Sequence, residues 1–160
     1  EGDFVLNRAV PGKIILGELG GIEAGVRQMI RTRPLEVQRV RLRSGAEVTV
    51  PTLEEIARIK GYLIVKRNQM RDYLDVAALS GRFSAETIGP VLAQIDEFYT
   101  DPSHADDRPV QAQLARQLAA PDPKDSSRTA DLTTYKGLVQ RWQDWDDVVA
   151  ECRALAVHVI

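Results

Sequence analysis

Cysteine, aromatic side chains and unbroken apolar sequence are all scarce in this 160-residue chain. The single cysteine, Cys152, cannot close an internal disulfide, so a packed core must stabilise the fold. It sits among Val148, Val149 and Leu155 in a helical pattern and reads as a buried thiol. Aromatic residues make up 6% of the chain, and Trp142 and Trp145 read as core anchors rather than base-stacking platforms. No run of about 18 apolar residues occurs, which leaves no segment for a membrane-spanning helix. The opening EGDFVLNRAV has neither the basic start nor the apolar core of a secretory signal, so the expected location is the cytoplasm with no membrane partner. His104 and His158 have no metal-ligand spacing, and neither a phosphate-binding P-loop nor an internal repeat is present.

The composition that remains is that of an ordinary globular chain, 44% hydrophobic and 28% charged. The net charge of −2 hides an asymmetry. Residues 1–72 carry 13 Lys and Arg against 9 Asp and Glu, whereas residues 73–160 carry 8 against 14. A basic front half suits a phosphate-bearing ligand, and a solvated surface of mixed charge fits it equally.

Residues 3–6 and 13–16 are short apolar runs separated by Pro11 and Gly12, the punctuation of two strands and a turn. Gly20 and Gly21 then open IEAGVRQMI, where Ile22, Val26, Met29 and Ile30 recur at helical spacing and predict a βαβ-like start. From Leu35 to Val50 the period becomes two, with Ser44-Gly45-Ala46 as the turn, which predicts a β-hairpin. Arg39, Arg41 and Arg43 share one of its faces, as either a solvated surface or a track for phosphate or RNA.

Pro51 ends the hairpin, and Thr52 to Glu55 form a capping box for a helix with Ile56, Ile59 and Leu63 as its stripe. Asn68-Gln69 is the expected joint before a second helix over 70–79. Further helices are predicted over 84–100, with Pro90 forcing a kink or late start, over 109–119, and from 132 to the end. Residues 121–131, rich in Pro, Asp and Ser, read as a mobile loop. The fold class expected is α+β: a small mixed β-sheet region over 1–51 and a helical region of the same domain over 52–160.

The charge concentrates in KRNQMRDYLDVAAL, residues 66–79. Were the flanking helices continuous, Lys60, Arg67, Arg71 and Asp75 would share one face, while Asp72 would lie about 120° around from Lys60. Arg71 and Asp75 are spaced as a surface ion pair, so an ion-paired helix junction accounts for the stretch. A lysine and arginines facing a cleft would equally neutralise a triphosphate.

Pro51-Thr52-Leu53-Glu54-Glu55-Ile56, then Lys60, Arg67, Arg71-Asp72-Tyr73-Leu74-Asp75 and Leu79 resemble the pattern of the AbiEii/AbiGii-type toxin nucleotidyltransferases, of the polymerase-β-like superfamily. The resemblance is dense over 51–79 and covers about half the chain. It implies a nucleotidyltransferase-like fold and transfer of a nucleotide, with Mg²⁺, from a nucleoside triphosphate to an acceptor such as tRNA. The enzyme would be the toxin of a bacterial toxin–antitoxin or abortive-infection system, with an antitoxin protein as partner. Lys60 resembles the phosphate-contacting lysine and Asp72 the family's key aspartate, the implied catalytic residues. Arg67, Arg71 and Asp75 are the implied nucleotide-binding residues.

The superfamily's Gly-Ser element, followed by a strand reading acid–apolar–acid, has no full counterpart here. Glu1-Gly2-Asp3 has the acid spacing, with Gly2 in the apolar place, and Glu36 has the form of a third carboxylate, so Glu1, Asp3 and Glu36 are the implied metal ligands. A fragment beginning at the motif, a degenerate member and an accidental match at Glu1 and Asp3 all fit. The competing function is a catalytically degenerate binding or regulatory module. For Lys60 and Asp72 to meet one phosphate, the helix must break between Arg67 and Met70 and open both side chains onto a shared cleft.

Overall fold

The structure, a computed structural model, describes residues 3–100, 109–127, 132, 135 and 137–160. Five strands in two small sheets and five α-helices make the described part a mixed α+β chain. The chain divides into two units, residues 1–31 and Thr32–Ile160.

The first unit is an antiparallel meander of β1 (Phe4–Val10), β2 (Ile14–Leu19) and β3 (Ile22–Arg27). Pro11 and Gly12 turn β1 into β2, with the Lys13 N–H donating to the Val10 carbonyl at 3.0 Å. The helix predicted over 22–30 is instead β3. Its apolar spacing fits a helix, but Gly20 and Gly21 both take positive φ, 59° and 80°, and join the strands through a two-residue turn that pairs Ile22 with Leu19. Among the described residues of this unit only Gly17 is buried, and Phe4, Leu6, Ile15, Ile22 and Val26 stay exposed. A side chain at Gly17 would strike the Phe4 ring and the Val5 carbonyl oxygen.

The second unit begins with the expected hairpin, β4 (Val37–Arg41) and β5 (Glu47–Pro51), paired Arg39 to Thr49, Val40 to Val48 and Arg41 to Glu47. Both sheets among the described residues are antiparallel, where a mixed sheet was expected. Every residue of β4 is exposed, so its arginine face and its Val40 face both meet solvent.

Thr52 caps α1 (Leu53–Arg67) by accepting from the Glu55 N–H at 3.2 Å. The other half of the expected capping box is diverted. The Thr52 N–H goes to the Glu36 carbonyl at 3.1 Å, freeing the buried Glu55 carboxylate to accept from the Glu36 N–H at 3.4 Å and from Arg58 at 3.0 Å. Arg58 also reaches Glu36 at 2.8 Å and lies 3.9 Å over the Phe98 ring, so this network ties the hairpin's entry to the helices.

The core is helical. It is built by α1, α2 (Met70–Phe83), α3 (Ala85–Ala93), α4 (Val110–Ala119) and α5 (Trp145–Ala156). Ile64, Met70, Tyr73, Ile88, Leu92, Leu114, Leu118 and Leu155 are fully buried in it. Tyr62 stacks on Tyr99 at 4.2 Å, and Trp145 meets Tyr73 edge-on at 6.1 Å. The helix predicted over 84–100 stops at Ala93 and gives way to a 3₁₀ turn, Ile95–Glu97. The single helix predicted from 132 resolves, in its described residues, into a 3₁₀ turn, Gln140–Gln143, and α5, because Asp144 caps a fresh start by accepting from the Asp146 N–H at 2.9 Å.

Two tests follow from this packing. A Cβ at Gly89 would lie 2.9 Å from the His158 carbonyl oxygen, so Gly89→Ala is expected to lose about 2 kcal/mol in urea unfolding despite alanine's better helix propensity; an unchanged midpoint would contradict that contact. Cys152 is buried, and burial first, Glu151 second, pushes its thiol from 9.0 up to about 12. Its stabilising contribution is complete below pH 9 and is lost as pH rises from there through about 12. Between about pH 8 and about pH 10.5 the unfolding free energy from urea titration should therefore fall by on the order of 2 kcal/mol less in Cys152→Ala than in the parent chain.

Candidate functional site

The charged stretch wraps a break between two helices. Asn68 ends α1 in the left-handed region, φ 51° and ψ 51°, with its N–H on the Ile64 carbonyl at 2.9 Å. Reversal of the chain leaves helix-end groups to satisfy, and residues 121–127 satisfy several. The Met70 N–H donates to Asp125 at 2.8 Å, the Lys124 N–H to the Asn68 carbonyl at 2.8 Å, and the Asn68 side-chain amide to the Asp122 carbonyl at 2.8 Å. This part of the expected mobile loop is thus pinned to the joint; residues 128–131 lie outside the described residues. Tyr73, whose hydroxyl donates to Asn68 Oδ1 at 2.5 Å, has its ionisation pushed up chiefly by burial.

Asp72 is fully buried beside this joint. Arg67 grips both its oxygens, Nη2 on Oδ1 and Nε on Oδ2 at 3.3 Å, and the Gln69 N–H donates to Oδ2 at 3.4 Å. The break expected between Arg67 and Met70 is therefore present, but the shared cleft is not. Its physical reason is electrostatic: a buried carboxylate needs a partner, and Arg67 supplies it from inside the protein. Lys60 turns instead to Asp75, Nζ to Oδ2 at 2.7 Å, which displaces the expected Arg71–Asp75 pairing.

Glu36 is held by Arg58, as described above, Asp3 belongs to the other unit, and Glu1 lies outside the described residues. Among the described residues no group of three His, Cys, Asp or Glu side chains could hold a metal ion; the expected set of Glu1, Asp3 and Glu36 includes a residue outside them and spans the two units. His104 is likewise outside the described residues.

A groove of about 470 Å³ runs along the outer face of α2. Arg71, Leu74, Asp75, Ala78 and Arg82 recur at helical spacing to form one wall, and Leu138, Val139 and Trp142 form the other. Arg82 and the second wall escaped the sequence reading. The signal was there in the 11-residue spacing of Arg71 and Arg82, which is three turns of one helix face.

No protein-family model matches the chain, and no solved structure matches it. It is 34% identical over 132 residues to the "Mycolic acid-containing lipids exporter MmpL11" of Mycolicibacterium smegmatis, covering 81% of this chain and 13% of that protein. A "Heme uptake protein MmpL11" of Mycobacterium tuberculosis matches at 34% over 131 residues, with the same coverage, and a "Probable transport protein MmpL11" of Mycobacterium leprae at 32% over 137, covering 81% of this chain and 12% of that one. The chain thus spans about an eighth of the length of these curated relatives. They overturn the nucleotidyltransferase resemblance and, with it, the toxin function, the enzyme assignment, the degenerate nucleotidyltransferase alternative and the triphosphate, tRNA and antitoxin partners: each relative is named for export, uptake or transport.

Lys60 and Asp72 then differ chiefly in burial. Asp72→Ala should cost about 3 kcal/mol in urea unfolding by stranding Arg67 and uncapping α2. Lys60→Ala, at a half-exposed pair, should cost under about 1 kcal/mol. Equal losses would contradict this division of roles.

Proposed function

We propose that the chain serves as a module, itself spanning no membrane, of a transport protein of the MmpL11 kind. The observation that carries this reading is the similarity to a short stretch of such proteins over 81% of the chain. It agrees with the helices: among the described residues none is long and apolar enough to cross a membrane, so a transport protein containing this module would cross the membrane elsewhere. The cargos named for the relatives, mycolic acid-containing lipids and heme, are largely apolar molecules with polar groups, which suits a groove of mixed lining. We place the module on the cytoplasmic side, where Arg39 and Arg41 of the exposed hairpin would face anionic lipid headgroups.

Exchange of the matched segment tests this. In the Mycolicibacterium smegmatis relative, deleting the segment should abolish lipid export while the protein remains in the membrane fraction, and inserting this chain should restore at least about half of it. Export that survives the deletion, or that this chain fails to restore, would overturn the reading.

A further inference from the structure

The groove along α2 carries charge of one sign at both ends and apolar surface between them. Arg71 and Arg82 are exposed, and neither forms an ion pair with a described carboxylate. They stand about 16 Å apart along the helix, from 11 residues at a rise of about 1.5 Å each. Leu74 and Ala78 lie between them, with Leu138, Val139 and Trp142 opposite. Val139 remains 60% exposed, an apolar side chain held against water at the rim. The acidic side chain in the wall, Asp75, is already neutralised by Lys60 at 2.7 Å. Arg82 lies 5.5 Å over the Phe83 ring, which leaves Arg71 as the guanidinium free to take a ligand's acidic group.

We propose that this groove binds a free long-chain carboxylic acid, its head on Arg71 and its chain along Leu74, Ala78 and Val139 towards Trp142. The proposal rests on the transport reading and names the cargo chemistry of this module. Charge complementarity selects an anionic head, because two arginines outweigh an aspartate already paired. The volume, about 470 Å³, is that of a site for one small ligand, which favours a single acyl chain over the two chains of a bilayer lipid.

Titration of the purified 160-residue chain with laurate, read by tryptophan fluorescence, tests it. Saturable binding is expected, weakened about tenfold by Arg71→Gln and no more than about threefold by Arg82→Gln. Asp75→Asn should tighten binding about threefold by leaving the Lys60 ammonium without its counter-ion beside the groove. An affinity gain of that kind cannot arise from unfolding, and circular dichroism checks the fold of each variant. Dodecyltrimethylammonium, with an equal chain and a positive head, should bind at least about tenfold more weakly. Absent saturation, insensitivity to Arg71→Gln, equal binding of the cation, or binding to phosphatidylglycerol vesicles without binding of laurate would each overturn the proposal. Failure here while the segment exchange restores export removes the groove alone. Laurate binding without restored export removes the transport reading and leaves the groove standing.

Discussion

The helical unit depends on a buried negative charge at the joint between its first two helices. Asp72 sits in the protein interior, where an unpaired carboxylate would be prohibitive, so Arg67 must turn back across the break to meet it. That demand fixes the angle at which α2 leaves α1. The backbone makes the reversal through Asn68 in the left-handed region, a conformation asparagine tolerates better than most residues. Residues 121–127 then complete the joint from far along the chain, Asp125 capping the first N–H of α2. Local sequence, a charge pair and a distant loop agree on one geometry.

Orientation of α2 has a second consequence. Its inner face gives Met70, Tyr73, Val76 and Ala77 to the core, while the stripe from Arg71 to Arg82 is left facing the segment around Trp142. Gly81 permits this approach, since a Cβ there would meet the Trp142 ring at 2.7 Å. Lys60, reaching over from α1, takes up the charge of Asp75 and so sets the sign of the groove. Electrostatics settled at the joint thus shape the surface beside it.

Sequence revealed most where the determinants are local. The Thr52 cap, the break at residues 68–69 and the β4–β5 hairpin all depend on neighbours a few residues away, and all are present, while Cys152 is buried as its apolar periodicity implied. The β3 strand was missed because its partner, β2, overrides a helical apolar spacing, although the Gly20-Gly21 turn was a legible hairpin signal. The pinning of residues 121–127 was invisible, since it depends on donors and acceptors more than 50 residues away. The resemblance over 51–79 went astray for a related reason. A lysine, arginines and aspartates at those intervals suit a phosphate site, yet here the same intervals bring Arg67 onto Asp72 and Lys60 onto Asp75. Residue type and spacing do not distinguish a cleft from a salt-bridged joint; burial does.

A double-mutant cycle between Arg67 and Asp72, read by urea unfolding, tests this account most directly. With Arg67→Ala, Asp72→Ala and the double variant, a coupling of about 2 kcal/mol is expected, because either single change strands the other's charge. Additive losses, with coupling within about 0.5 kcal/mol of zero, would show that the pair does not hold the joint and would contradict the account.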